Sequence, residues 1–460
     1  MNKELIRKYN VPGPRYTSYP TVPYWEDSSV NAKIWKEQVA QTFHATNATK
    51  GIALYIHLPF CESLCHYCGC NVRHTVNHAA EEKYIEYLKK EWLLYLDVLN
   101  EKPQITELHL GGGTPTFFSP QNLDKILNFI FSRSVRAPKY SYSFEGDPRN
   151  TTREHIETLA KQGFNRMSLG IQDFNPTVQK AINREQTFEQ VKEVTRYARE
   201  AGYTSVNFDL IYGLPNQTPD TVRKTIEKTN ELRPDRIAFY SYAHLPKNIP
   251  VQRKIDESQL PTGPEKRALY ELGKELFEAN GYVEIGMDHF ALPHDSLTHA
   301  YHNGTLHRNF MGYGTLHTDL MIGLGVSSIG DSLGAFGQNQ KTIRNYEKAL
   351  DQDELPIFRG HLLTDEDLII RKHILNLMCT FTTSRKDENM NCDALTEAWQ
   401  DLTETEKDGL IKLTERTIEV TTKGKPFIRN ICMALDERMR RAQKVKTQTR
   451  GRKKLFSSTV

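Results

Sequence analysis

Between Gly51 and Ala291, short apolar or alternating runs are separated by longer stretches with helical periodicity. The runs IALYIHLPF, ITELHL, YSYSFEGD, RMSLGIQ, SVNFDLIYG, RIAFYSYAHL and YVEIGMD have the β-branched and aromatic content of strands. Between the first two, Tyr84, Leu88, Trp92, Tyr95, Leu96 and Leu99 recur along one helical face, a stripe that packs on a core. Strand-then-helix units repeated this often predict an α/β fold with a parallel sheet and right-handed crossovers, here a partial or open (β/α) barrel of the TIM type.

Alternation within the strands separates their faces. Tyr140, Tyr142 and Phe144 oppose Ser141, Ser143 and Glu145; Met167, Leu169 and Ile171 oppose Ser168, Gly170 and Gln172; Val206, Phe208 and Leu210 oppose Asn207 and Asp209. A filled barrel carries bulky branched side chains inside. These strands instead present one face of small and polar groups, with Glu145, Gln172 and Asp209 toward their C-terminal ends. Parallel sheets are covered on both faces, so the pattern predicts an interior kept open for a large polar ligand rather than a face left to solvent.

Outside this region the pattern changes. The N-terminal YNVPGPRYTSYPTVPYW is dense in proline and aromatics, too irregular for helix or strand, and reads as an arm packed on the surface. Toward the other end, helices around DLIIRKHILNLMCTF and EKDGLIKL and a strand pair near TIEVTTKGK suggest a small, mainly helical domain of winged-helix flavour. TTSRKDENMNCD, from Thr382 to Asp393, reads as a loop. Such modules often bind DNA, but no basic recognition helix stands out, and a lid or wall over the barrel is expected. The expected division is an arm over 1–50, the barrel over 51–350 and the helical domain over 351–460.

The 460-residue chain, 38% hydrophobic and 25% charged, has ample length for a buried core. No window approaches the ~18 consecutive apolar residues of a membrane span. MNKELIRKYNVPGPRY lacks the apolar stretch of a secretory leader, so a reducing cytoplasm with free thiols is expected. A net charge of +3 makes no case for nucleic acid, and the basic run KVKTQTRGRKK, Lys444 to Lys454, reads as a solvated tail. Neither a membrane nor a nucleic acid is an expected partner.

Four of the seven cysteines, Cys61, Cys65, Cys68 and Cys70, crowd into ten residues with the spacing C-x3-C-x2-C-x-C. A disulfide framework is not expected in a reducing compartment, and Cys379, Cys392 and Cys432 are scattered as ordinary thiols. Structural zinc usually draws ligand pairs from separated segments, because one short loop has difficulty reaching four tetrahedral corners. A cubane cluster lets each thiolate meet a different iron. Spacing therefore favours iron–sulfur over zinc without settling the matter. Three thiolates leave a fourth iron open unless Cys70 fills it. GGGTPTF, Gly111 to Phe117, directly follows ITELHL, and its glycines let a ligand approach backbone closely.

The C-x3-C-x2-C loop followed by that glycine-rich strand end resembles the radical S-adenosylmethionine enzymes, in which the open iron is chelated by the amino and carboxylate groups of the cofactor's methionine part. The resemblance implies a [4Fe-4S] cluster on Cys61, Cys65 and Cys68, with Cys70 one position beyond the needed set. GPRYTSYP, CGCN, EGDPR, LGIQDFN, NREQT, DLIYGLPNQTP, YAHLP, GMDHFALP, LHRNF and IRNIC extend the likeness from about Leu5 to about Arg440 and resemble the oxygen-independent coproporphyrinogen III oxidase family. That resemblance implies an oxidoreductase of haem and porphyrin biosynthesis. A 5′-deoxyadenosyl radical from S-adenosylmethionine would abstract hydrogen from a propionate β-carbon, and loss of CO2 and an electron would leave a vinyl group. Two propionates of coproporphyrinogen III would react, giving protoporphyrinogen IX. A monomer, a reductant such as flavodoxin or ferredoxin, and an electron acceptor that the sequence does not identify complete the expectation. Two rival readings stand beside it. Related haem chaperones share the barrel and cluster loop but generally lack GPRYTSYP and carry an aromatic where Cys70 stands, and a zinc-stabilised interaction module is the other.

Carried over by position, two S-adenosylmethionine molecules would be contacted, the first by Tyr55, Gly112, Glu145 and Ile329, the second by Tyr67, Gly113, Thr114, Gln172, Arg184, Asp209 and Ala243. Glu145 would accept from amino or ribose groups, Asp209 from a second ribose or amine, and Arg184 would grip a carboxylate with two N–H groups. Tyr55, His57 and Cys70 are the expected catalytic positions. His57 shares a strand face with Tyr55 and points at the cluster end, although a satisfied core histidine explains it equally well. A tetracarboxylate needs cationic anchors, for which Arg15 and Arg308 are candidates. One departure is visible: GYGT follows LHRNF where the family pattern has GYTT, so Gly314 replaces a threonine, with consequences for placement if that loop borders the substrate.

Overall fold

The computed structural model describes residues 3–446, 456–457 and 459; the basic run beyond Lys446 lies outside the described residues. A twelve-stranded sheet forms the body, made of β1 (Ile52–Leu58), β2 (Gln104–Gly112), β3 (Val135–Gly146), β4 (Arg166–Gln172), β5 (Ser205–Tyr212), β6 (Arg236–Ser241), β7 (Val283–Gly286), β8 (His289–Ala291), β9 (Met321–Leu324), β10 (Ile329–Asp331), β11 (Ala335–Asn339) and β12 (Ile357–Leu362). Their spatial order is β12-β11-β10-β9-β1-β2-β3-β4-β5-β6-β8-β7. β9 and β1 to β6 run parallel. The strands added at both ends are antiparallel. The result is a partial, open TIM-type barrel.

The outward faces are as the alternation dictates: Tyr142, Phe144, Met167, Leu169, Val206, Phe208 and Leu210 are buried in one core. The helices Arg153–Lys161, Phe188–Glu200 and Pro219–Leu232 start where Thr152, Thr187 and Thr218 accept from the backbone N–H three residues on, each in a capping box. In the helix Ala79–Leu99 the predicted stripe packs on this core, with only Leu96 half-exposed. YVEIGMD departs from expectation. It supplies β7, which pairs antiparallel with β8, because the short turn at Met287 and Asp288 is far too brief for a parallel crossover. The seventh parallel strand comes instead from β9, whose four residues are all buried and carry no alternation.

The irregular N-terminal segment is held by arginines. Arg429 donates to the carbonyls of Gly13 and Pro14, the latter at 2.8 Å. Arg308 donates to those of Arg15 at 3.4 Å and Tyr16 at 3.3 Å. A segment without a ladder of its own thus has its carbonyls satisfied. Tyr16 and Tyr19 pack with Ile374, Leu377 and Ile431 of the C-terminal module. The helix Ala32–Lys50 joins the barrel core through Trp35, Val39 and Phe43, and the Trp35 indole donates to the Tyr95 hydroxyl at 2.9 Å.

The C-terminal module follows the order helix (Asp365–Thr380), strand (Thr382–Ser384), helices (Asp393–Asp401, Thr403–Lys407), strands (Ile411–Leu413, Thr417–Val420), which is winged-helix order. Two details correct the sequence reading. Thr382–Ser384 is a strand rather than loop, anchored by Thr383, whose hydroxyl lies 2.8 Å from Nδ1 of the buried His373. EKDGLIKL holds a helix end and a strand, because Gly409 takes a φ of +74° and stops the helix. No described helix is long and apolar enough to cross a membrane.

Candidate active site in the open barrel

Two cavities share the barrel interior. One of about 580 Å³ lies at the C-terminal strand ends, where Tyr67, Gly112, Gly113, Thr114, Gln172 and Arg184 line it together with all four clustered cysteines. The other, about 140 Å³, reaches toward the N-terminal ends and is lined by Glu107, His109, Ser143, Arg166 and Asn207. Glu145, Asp209 and Tyr240 face both. Strand register makes this polar wall continuous: Tyr55 stands opposite His109, His109 opposite Ser143, and Glu145 opposite Ser168, which stands opposite Asn207.

Each of the first three cysteine sulfurs has a hydrogen-bonding neighbour. The Thr114 hydroxyl lies 3.2 Å from Sγ of Cys61, Nη1 of Arg184 donates to Sγ of Cys65 at 3.6 Å, and Cys70 bonds Cys68. Burial pushes the Cys61 thiol up to about 12, whereas the Cys70 bond is the chief cause drawing Cys68 down to about 7. Among the described residues no three His, Cys, Asp or Glu side chains converge as a single metal ion requires. Three thiols spread around one cavity, each beside a hydrogen-bonding group, suit instead a cluster whose irons are spread.

The glycine-rich strand end is shaped by its neighbours. Gly112 has a φ of +116°, and a Cβ there would lie 2.7 Å from the His57 ring. Its N–H donates to Oε2 of Glu145 at 3.3 Å, while His109 Nε2 lies 3.4 Å from Oε1. Burial, the largest single influence, opposes ionisation of Glu145, but His109, the Gly112 N–H and His57 together outweigh it and hold the carboxyl below its ordinary range. Asp209 accepts from Ser168 at 2.7 Å and Asn207 at 2.9 Å, yet burial pushes it up to about 6.

This chain is 39% identical over 455 residues to the oxygen-independent coproporphyrinogen III oxidase of Helicobacter pylori strain J99, covering 96% of this chain and 97% of that one. It is 38% identical over 449 residues to that of Escherichia coli K12, covering 96% of each. The chain belongs to the oxygen-independent coproporphyrinogen III oxidase family. The Radical SAM superfamily profile matches residues 55–229. A solved structure of coproporphyrinogen III oxidase from Escherichia coli, described as a radical SAM enzyme, superposes with a TM-score of 0.88 at 35% identity, covering 95% of this chain and 98% of that one.

Not every position carried over from the family lines the larger cavity. Tyr55 stacks on His109 at 5.9 Å between ring centroids, and Ile329 packs its carbonyl against Gly323, the register partner of Tyr55. The Ala243 carbonyl accepts at 3.0 Å from Nε2 of Gln252, which also donates to the Tyr67 carbonyl at 3.0 Å. The Arg184 guanidinium differs most from expectation. Nε and Nη2 donate to the Gly170 carbonyl at 3.2 and 2.7 Å, and Nη1 serves Cys65 and Asp147. Of five N–H groups one remains, enough for a single contact but not a two-pronged grip.

The two substrate candidates are engaged elsewhere. Arg15 pairs with Asp288 and lines a separate cavity of about 40 Å³ with Arg267, Lys425 and Arg429. Arg308 latches the N-terminal backbone and stacks 4.4 Å over the Tyr313 ring, and its buried Nη1 has no partner among the described residues. Gly314 does line the smaller cavity, and a Cβ there would lie 3.3 Å from Oε1 of Glu107, a carboxyl that burial pushes up to about 7. The sequence did not single out Asp147, His109, Tyr240 and Gln252; Asp147 falls in EGDPR, His109 in ITELHL and Tyr240 in RIAFYSYAHL, whereas Gln252 lies outside all of these runs.

Proposed function

We propose that this protein carries out the oxygen-independent oxidative decarboxylation of coproporphyrinogen III to protoporphyrinogen IX. The observation that carries the reading is the trio Cys61, Cys65 and Cys68, each with a hydrogen-bonding neighbour, opening on a cavity continuous with a polar barrel interior. These three would hold a [4Fe-4S] cluster. When bound, the cluster and S-adenosylmethionine supply the one-electron chemistry that takes hydrogen from the propionate β-carbon.

The chain's own residues position and enclose. Gly112, Glu145, Tyr55 and Ile329 suit one S-adenosylmethionine; Tyr67, Gly113, Thr114, Gln172, Asp209 and Ala243, with the single free N–H of Arg184, suit a second. His57 and Tyr55 brace the cysteine loop from behind. Cys70 reaches Cys68 and is exposed, so we assign it a role beside the cluster rather than as its ligand. Arg308, with a buried unpartnered Nη1, is a better carboxylate anchor than Arg15, whose charge Asp288 already meets. Electrons would enter from a flavodoxin- or ferredoxin-type donor at the exposed loop that carries Cys70, with the protein acting as a cytoplasmic monomer.

Anaerobic reconstitution tests the cluster. Uptake of about four iron and four sulfide per chain, lost in Cys65→Ala, is the expected result. Stoichiometric zinc without sulfide would overturn the reading, and tight haem binding by a protein inert toward coproporphyrinogen III would turn it to the chaperone.

A further inference from the structure

Arg184 and Asp147 form a buried ion pair, 7% and 5% exposed, beside one cluster cysteine. The guanidinium nitrogen that donates to Sγ of Cys65 at 3.6 Å also donates to Oδ2 of Asp147 at 2.9 Å. Arg149 closes on the same carboxylate, with Nη2 donating to Oδ2 at 2.7 Å and Nε and its backbone N–H donating to Oδ1 at 3.0 Å each. Asp147 cannot shift without giving up these bonds, so it fixes where Arg184 Nη1 points. Two contacts to the Gly170 carbonyl fix the other edge of the guanidinium. An arginine held this way is spent largely on the protein, and what it presents to the site is an N–H aimed at a sulfur.

We infer that Arg184, oriented by Asp147 and Arg149, sets the reduction potential of the cluster through its bond to the Cys65 thiolate. The inference rests on the cluster assignment above and adds to it. Reduction places more negative charge on the cluster and its thiolates, so a charged N–H···S bond stabilises the reduced form and raises the potential. The charge of Asp147 also offsets part of the positive field of the two arginines at the sulfur, so its substitution mixes loss of that offset with loss of the Arg184 orientation, and the test is read at Arg184. Arg184 touches a ligand atom, and Asp147 is a positioning residue.

The test is a redox titration of the reconstituted, S-adenosylmethionine-free protein, followed by the electron paramagnetic resonance signal of the reduced cluster. Leaving out S-adenosylmethionine removes any contribution from Arg184 to cofactor binding. Arg184→Met is expected to lower the midpoint potential, with Arg184→Lys falling between Arg184→Met and wild type. Iron and sulfide content are measured on every sample. A raised or unchanged potential in Arg184→Met with full cluster content would overturn the inference. If Arg184→Met fails to load a cluster, Arg184→Lys decides, since a potential equal to wild type would contradict the assignment. A wild-type protein without a cluster sinks the underlying reading instead, a result the iron analysis distinguishes.

Discussion

The Tyr55 hydroxyl lies 3.1 Å from Nδ1 of His57, whose Nε2 lies 2.9 Å from the carbonyl oxygen of Asn71, the residue after Cys70. A carbonyl only accepts, so Nε2 carries the proton and Nδ1 accepts from Tyr55. The neutral ring ties β1 to the end of the cysteine loop. Burial, the largest cause, lowers its pKa below 6.5. The unfolded ring therefore binds more protons below that pH, so this contribution to stability is complete above 6.5 and is lost as pH falls beneath it. Denaturant unfolding between pH 7 and 5 should show a shallower loss of stability in His57→Gln than in wild type. Identical slopes would contradict the tautomer and the brace.

Cys70 separates a cluster ligand from a neighbour. Its thiol lies against Cys68, and in the proposed assignment Cys61, Cys65 and Cys68 are the three that hold the cluster. Cys70→Ser should retain the iron and sulfide content of wild type while Cys65→Ala loses the cluster. Loss of iron in Cys70→Ser, read by metal analysis and the visible absorption band, would make Cys70 a fourth ligand.

Gly112 has no room for a side chain. With a φ of +116° and the His57 ring 2.7 Å from the point a methyl group would occupy, Gly112→Ala must strain the backbone and displace the ring. The expected cost is about 2–4 kcal/mol by denaturant unfolding. A change below about 0.5 kcal/mol would show that the strand end is free to relax.

Trp35 links the N-terminal helix Ala32–Lys50 to the barrel. Its ring is fully buried, donates to Tyr95 at 2.9 Å, and lies where Cβ atoms on Gly330 and Gly337 would approach to 2.5 and 2.8 Å. Trp35→Ala should cost about 3–5 kcal/mol. A near-neutral result would mean that the helix Ala32–Lys50 packs independently of the barrel.

The parts of this architecture that were legible in sequence are those with a local signal. Period-two alternation in β3, β4 and β5 revealed the polar interior, and the spacing of Cys61, Cys65 and Cys68 marked a loop of crowded thiols at its mouth. The rest depends on distant pairs. Arg184 and Cys65 are 119 residues apart, and neither spacing nor periodicity joins them. β9 is too short and too uniformly apolar to alternate, so its place beside β1 comes from tertiary pairing. GPRYTSYP was recognisable as packed, but its latch comes from Arg308 and Arg429, which no pattern near residue 15 announces.

The most direct test of the account is anaerobic turnover. Reconstituted protein is mixed with dithionite, S-adenosylmethionine and coproporphyrinogen III plus an electron acceptor, and 5′-deoxyadenosine and protoporphyrinogen IX are followed by chromatography. Both products should appear together and vanish together in Cys65→Ala. Cofactor cleavage without any loss of propionate carboxyl groups from the porphyrinogen would contradict the assignment of substrate and reaction.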